Sequence, residues 1–427
     1  MNGKPRARIF SDPSFRRVFT ATGISATGDT LTQAALPFAI LDMSDSATAI
    51  GLVLAARALP YALLMLPAGV VGDMIRPQRV LFLANIVRFS VQGLTAALLF
   101  TGNASIAALA FLQAVQGAAS AFVFPASRSV LPRALRKDQL QSANASISSV
   151  FSAAAIVGPL LAGILLTFTS PASALALDAT SFLIGAVLLG RITDLPEVTR
   201  TASRATTKKS MSWRRELATG FQEVVGSRWL LLGLAHAAGF QVLVVGAVAV
   251  LGPVMAQDHY GGDRAWAVLL ACMSVGHLLG GLVATRWKPG NPLRAAYVVV
   301  LGTTPALLAL AAVLPFWSLA PLLVLYGTTL SVGDTLWSTV VQSNVPLDRL
   351  SRVISFDGFV SFGLRPLGLA VLGPVAAMAG AEGTLVAMAG ASALLTAAAA
   401  LLAGGPRFAP ASASAGAEFP PPEPVTH

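Results

Sequence analysis

Twelve runs of mostly apolar residues, each long enough to cross a bilayer, follow one another along the chain, and no other feature restricts its fold so severely. They cover approximately residues 18–41, 47–71, 80–101, 104–125, 143–168, 172–190, 229–254, 265–284, 295–314, 319–341, 353–378 and 384–403. A spanning helix needs about 20 such residues. An isolated strand in lipid would leave its backbone groups unpaired, so every run is predicted to be helical. Turn residues stand at several joints: Asp45-Ser46, Gly102-Asn103, Ser170-Pro171 and Gly261-Gly262. The expected class is an all-α, multi-pass membrane protein.

Only 11% of the residues are charged, yet the formal net charge is +10. Such a surplus fits nucleic acid or anionic lipid until its position is considered. With the N-terminal tail placed inside and the sides alternated, 25 of the 29 Lys and Arg fall in inside segments. Arg264 alone falls outside, while Arg57, Arg88 and Arg365 lie within runs. This bias predicts both termini in the cytoplasm, and a place in the cell (inner or plasma) membrane. The surplus is then a topology and lipid signal, and no nucleic-acid partner is expected. The first run is too long for a cleaved export signal and is read as retained. The single Cys272 builds no disulfide, and His236 and His277 have no second ligand three or four residues away, so no metal site is expected. A phosphate-binding loop of the form Gly, four residues, Gly-Lys-Ser/Thr is absent from the sequence. Neither an enzyme nor a nucleotide-driven engine is expected.

The longest polar interval divides the runs six and six. The expected layout is a basic tail (1–17), a six-helix half (18–190), a cytoplasmic loop (191–228), a second half (229–403) and a Pro/Ala/Ser-rich disordered tail (404–427). The halves echo each other. "GVVGDMIRPQRVL" from Gly69 corresponds to "GLVATRWKPGNPL" from Gly281, "VLPRALRKDQLQSA" to "NVPLDRLSRVIS", and Gly158-Pro159 to Gly373-Pro374. Such a repeat is the architecture of transporters that bind substrate near mid-membrane between rocking halves. Four stretches carry a resemblance: "SATGDTLTQAALPFAILDMSDSATAIGLVLAARALPY", "GVVGDMIRPQRVL", "FPASRSVLPRALRKDQLQSANA" and "VVQSNVPLDRLSRVISF". Through them the chain resembles a twelve-span drug/proton antiporter of the major facilitator superfamily. More narrowly, it is similar to the branch of enterobactin exporters and macrolide-efflux proteins.

The resemblance implies a cytoplasmic gate in the loop after the second run. Gly69, Asp73 and Arg79 match the family pattern, whereas Met74, Arg76, Pro77 and Gln78 depart from it. Asp73 would face the N-terminus of the eleventh helix, where its dipole favours a carboxylate by about 0.3 to 1 kcal/mol. A solvated loop acid that merely caps a turn is the plainer alternative. Gly158, Pro159 and Gly163 resemble the helix-bend signature of superfamily exporters, although Ala154 and Ala162 replace glycines usual there. Small residues admit close helix approach, and proline bends the helix.

Seven ionisable residues interrupt the runs: Asp29, Asp178, Asp334, Asp357, Arg57, Arg88 and Arg365. Each costs about 2.5 to 3.5 kcal/mol at a helix centre unless compensated. Asp29 stands in the middle of "ISATGDTLTQAALPFAIL", with Gln33 one turn later on the same face. The resemblance implies that the first, fourth, seventh and tenth helices line the cavity. Polar stripes occur there: Gln113, Gln116 and Ser120; His236, Phe240 and Gln241; Asp334 and Trp337. Ordinary interhelical hydrogen bonding is an equal reading of any single member. Asp29 is the proton-coupling candidate; the alternatives are a fixed anion for a cationic compound and a permanent partner of an arginine such as Arg57. Structural pairs are expected for Arg57, Arg88 and Asp178. Asp357 is placed at an interface, and Arg365, beside Pro366 and Gly368, at a mobile joint.

The expected activity is efflux of a small amphipathic compound (an antibiotic, siderophore or other toxic metabolite) by a monomer. The proton gradient supplies the energy, and no cofactor is needed. The alternatives are an importer or facilitator with the same fold and a non-transporting membrane receptor.

Overall fold

The computed structural model describes residues 9–74, 76–123, 126–127, 130, 135, 139–192, 227–345, 353, 357, 360 and 363–405. In the first half these form α1 (Pro13–Ser44), α2 (Ala47–Met74), α3 (Pro77–Phe100), α4 (Ile106–Ala121), α5 (Leu140–Phe168) and α6 (Pro171–Gly190). The second half holds α7 (Arg228–His259), α8 (Asp263–Arg286), α9 (Pro292–Ala311), α10 (Phe316–Asn344), α11 (Arg365–Ala379) and α12 (Ala381–Ala403). A π turn at Gln241–Val245 interrupts α7, and a 3₁₀ turn at Leu301–Thr303 interrupts α9. Among the described residues nine of these helices are long and apolar enough to cross a membrane, and α4 and α11 are shorter apolar helices.

Helix ends follow local chemistry. Asp12 caps α1 by accepting the Phe15 amide at 2.8 Å, and Ser105 caps α4 by accepting that of Ala108 at 3.2 Å. The joints marked by turn residues are where the chain reverses: Asp45 takes the left-handed conformation after α1, and Gly102 and Gly261 have positive φ after α3 and α7. The eleventh run was expected to be helical from 353; the described positions Val353, Asp357, Val360 and Gly363 are helical, and after a bend at Leu364 α11 continues from Arg365 with Pro366 in its first turn, where a missing amide hydrogen costs least.

Packing repeats the six-plus-six division. In the first half α3 and α1 pack on α6, α2 on α4 and α1 on α5; in the second half α9 and α7 pack on α12, α8 on α10 and α7 on α11. Each pair maps onto its counterpart six helices later. The halves meet through α2 against α11 and α5 against α8. Gly51 of α2 lies against the Leu369 carbonyl, and Gly373 of α11 against the backbone of Thr48, contacts that a Cβ on either glycine would block. Large apolar side chains such as Leu63, Phe111, Ile164, Phe168, Trp317, Met378 and Leu394 point outward. That is the surface of a protein whose solvent is lipid.

Candidate functional site

Asp29, halfway along α1, accepts hydrogen bonds from two guanidiniums. Arg57 of α2 donates to Oδ1 at 2.9 Å, and Arg88 of α3 donates to Oδ2. The Asp29 side chain keeps a quarter of its exposure, whereas Arg88 keeps 3%. The carboxylate therefore faces open space with Arg88 behind it. Arg88 also lies 3.8 Å above the ring of Phe182 on α6, so an aromatic face supports its charge. Pairing between Asp29 and Arg57 was one of the three roles open from the sequence. Arg88 sharing the same carboxylate was not foreseen.

One turn along the same helices a second cluster forms. Asp178 of α6 is fully buried. Thr32 donates to it at 2.8 Å, the Gln92 amide at 3.0 Å and Ser181 at 3.3 Å. Gln92 also donates to Thr32 at 3.0 Å and accepts from Gln113 at 3.4 Å. Among the described residues no Lys or Arg lies within 4.0 Å of Asp178. A structural ion pair was expected here, and the structure places neutral donors instead. The reason is the helical repeat: Arg88 and Gln92 share one face of α3 four residues apart. Arg88 sits level with Asp29, which leaves Gln92 level with Thr32 and Asp178.

A cavity of about 480 Å³ opens onto the first cluster. Asp29, Gln33, Arg57, Tyr61, Arg88 and Ser120 line it, and it runs from Leu36 and Leu369 to Val18 and Ser127 near the opposite end of the bundle. Gln33 thus stands where expected. Gln113 and Gln116 do not: both are fully buried and absent from the lining, Gln113 turned toward α3 and Gln116 left without a hydrogen-bond partner among the described residues. Ser120, on the same stripe, does reach the cavity.

The second-half candidates are also outside this lining, which takes only Arg365 and Leu369 from that half among the described residues. His236 sits between α7, α9 and α12, 3.0 Å from the Thr396 hydroxyl and edge-on to Tyr297 at 4.9 Å, with Phe240 stacked at 5.9 Å. Trp337 packs edge-on against Trp229 at 6.0 Å and donates to Asp357 at 3.5 Å. Asp334 is exposed on α10, and Gln241 lies in the π turn with its carbonyl oxygen unpartnered among the described residues. Periodicity identified polar faces correctly, but not which neighbour each face would meet. It missed Tyr61, Thr32, Gln92 and Phe182; the spacing of Gln92 four residues after Arg88 was the one available signal.

The bend motif of α5 works between helices. Gly158 packs against Thr30 of α1, where a side chain would collide, and Gly163 faces Ala267 of α8 across the two halves. Pro159 has no amide hydrogen, so the carbonyl of Ala155 loses its helical partner. Ser274 of α8 donates its hydroxyl to that carbonyl, joining the halves. Arg264 at the start of α8 donates to the Thr167 carbonyl at 2.7 Å and joins them again at the end of α5. Of the gate residues, Arg79 is exposed in the first turn of α3. Gly69 and Asp73 lie in the last turns of α2, and their side chains fall outside the described residues.

Residues 18–369 match the model of the Major Facilitator Superfamily. The chain is 30% identical over 58% of its length to an uncharacterized MFS-type transporter, y4rN, of Sinorhizobium fredii, spanning 60% of that protein. It is 25% identical to the multidrug efflux pump Tap of Mycolicibacterium fortuitum, over 85% of this chain and 89% of Tap. To the enterobactin exporter EntS of Salmonella typhimurium it is 25% identical over 86% of each. Among solved structures, the nucleoside transporter NupG superimposes with a TM-score of 0.69 at 14% identity, covering 90% of this chain and 98% of NupG.

Proposed function

Because the chain belongs to the Major Facilitator Superfamily, and is thus a multi-pass transporter of the cell membrane rather than an enzyme, we propose that it exports a small amphipathic compound in exchange for protons by alternating access. The observation that carries this reading is the charged cavity at the middle of the bundle; the halves meet beside it through α2 against α11 and α5 against α8, with Arg264 bonded to the Thr167 carbonyl at the end of α5. The basic surplus of the inside segments assigns the other end, with both termini, to the cytoplasm. A cavity extending toward that side is placed to load from within. Similarity to Tap and EntS supports outward transport. The protein acts as a monomer, and the proton gradient is its only energy source.

The proton acceptor in this proposal is Asp178 rather than Asp29. Asp29 is held by two guanidiniums contributed by its own half, and a rigid half carries such a pair unchanged through the cycle. Among the described residues Asp178 is bonded to neutral groups alone, and a buried carboxyl without a cation takes up a proton more readily than it stays an unpaired charge. Binding of the proton favours one orientation of the halves and binding of the compound the other. Inside-out vesicles containing the protein should accumulate an exported compound only when their lumen is acidified. Accumulation by right-side-out vesicles instead would establish uptake, and ligand binding without flux in either would establish a receptor.

A further inference from the structure

Among the described residues three guanidiniums and one carboxylate face the cavity: Arg57, Arg88 and Arg365 against Asp29. Asp29 is engaged by the first two. Arg365 has no carboxylate within 4.0 Å among the described residues, and its buried Nε has no hydrogen-bond partner. Among the described residues the lining therefore carries two more guanidiniums than carboxylates, in a space whose apolar walls include Leu54, Phe151 and Leu369. Arg365 stands at the bend that opens α11. The charge of Arg57 acts on it from the other half, so α11 brings like charges together across the interface. The Ser120 hydroxyl, on the same cavity, also lacks a partner among the described residues. A buried guanidinium left in this way calls for an anion, and its planar fork matches a carboxylate.

We propose that the cavity is an anion site with Arg365 as its charged contact, and that the transported compound is an amphipathic acid: a carboxylate on an apolar body. This deepens the transport reading above and rests on it. The apolar walls accept the body while the guanidinium selects the head. A cationic compound would meet the surplus of guanidiniums among the described lining residues and be turned away.

The test uses the full-length protein in lipid nanodiscs and three probes with one naphthalene body: 2-naphthoate, 2-naphthylmethanol and 2-naphthylmethylammonium, titrated by calorimetry. Naphthoate should bind about tenfold or more tighter than the alcohol, with the ammonium weakest, as a charge-assisted hydrogen bond implies. Arg365→Gln should abolish that preference without changing the affinity for the alcohol, and Arg365→Lys should keep part of it. Equal binding of the three probes, tightest binding of the ammonium, or an equal loss for all three in Arg365→Gln would overturn the proposal. If the Gln variant fails to fold, the probe order on the wild type and the Lys variant decides. Flux in proteoliposomes is scored separately: naphthoate preference without flux removes the transport reading and keeps the site, whereas flux without preference does the reverse.

Discussion

In the first half, α1, α3 and α6 converge on Asp29, Arg88 and Asp178; in the second, the equivalent α7, α9 and α12 converge on His236, Tyr297 and Thr396. The helix pairings match, but the contents differ. A ring hydrogen bond and aromatic contacts hold the second half's junction together, so the fold does not require charge at that place. Buried ion pairs are weak contributors to stability, because desolvation offsets most of their attraction. The charges of the first half are therefore better understood as belonging to the cavity they face than to the scaffold that carries them.

The largest effect expected is that of Asp29→Asn, which strands two guanidiniums. Removing one partner of a buried pair costs about 3–5 kcal/mol, and the partial exposure of Asp29 places this site near the lower figure. Thermal unfolding followed by tryptophan fluorescence should show a clear fall in Tm, and the double variant with Arg57→Gln should lose less than the sum of the single changes. Strict additivity would mean that the pair is not coupled. His236→Ala, the counterpart in the second half, removes one hydrogen bond and two ring contacts, for about 1–3 kcal/mol, and should leave proton-driven export per folded molecule intact. Export lost at full stability would erase the contrast between the halves. Asp178→Asn should cost about 1 kcal/mol, because an amide still accepts from Thr32. It should nevertheless stop uphill export while allowing downhill exchange of the compound; retained uphill export would remove Asp178 from the coupling role. Smallest is Ser274→Ala, which frees the Ala155 carbonyl and weakens the contact between α5 and α8 by about 0.5–1.5 kcal/mol. A crosslinking assay between cysteines on those helices should detect a modest shift toward separation.

Much of this was legible before any coordinates. The helices lie where the apolar runs do, Asp45, Gly102 and Gly261 mark reversals, and the six-plus-six repeat reappears in the pairing of α2 with α4 and of α8 with α10. Asp29 and Gln33 could be placed on one cavity-facing stripe, because both lie on a single helix whose period is known. Gln113, His236 and Trp337 were on polar faces too, yet those faces turned toward α3, α12 and the Trp229 ring. A helical period defines a stripe, and it leaves open how the helix is rotated against its neighbours.

The amino-acid sequence by itself determined that this chain crosses a membrane repeatedly and that a few charges had to be compensated inside, and its charge pattern set the expectation that basic residues gather on one side. Those properties are sums along the chain: hydrophobicity per run and charge per loop. Only the tertiary structure decided that Asp29 answers to both Arg57 and Arg88, that neutral groups hold Asp178, and that Arg365 faces the cavity with no carboxylate beside it among the described residues. Each of those outcomes depends on side chains tens or hundreds of residues apart meeting within a few ångströms, and electrostatic compensation falls off over that short distance.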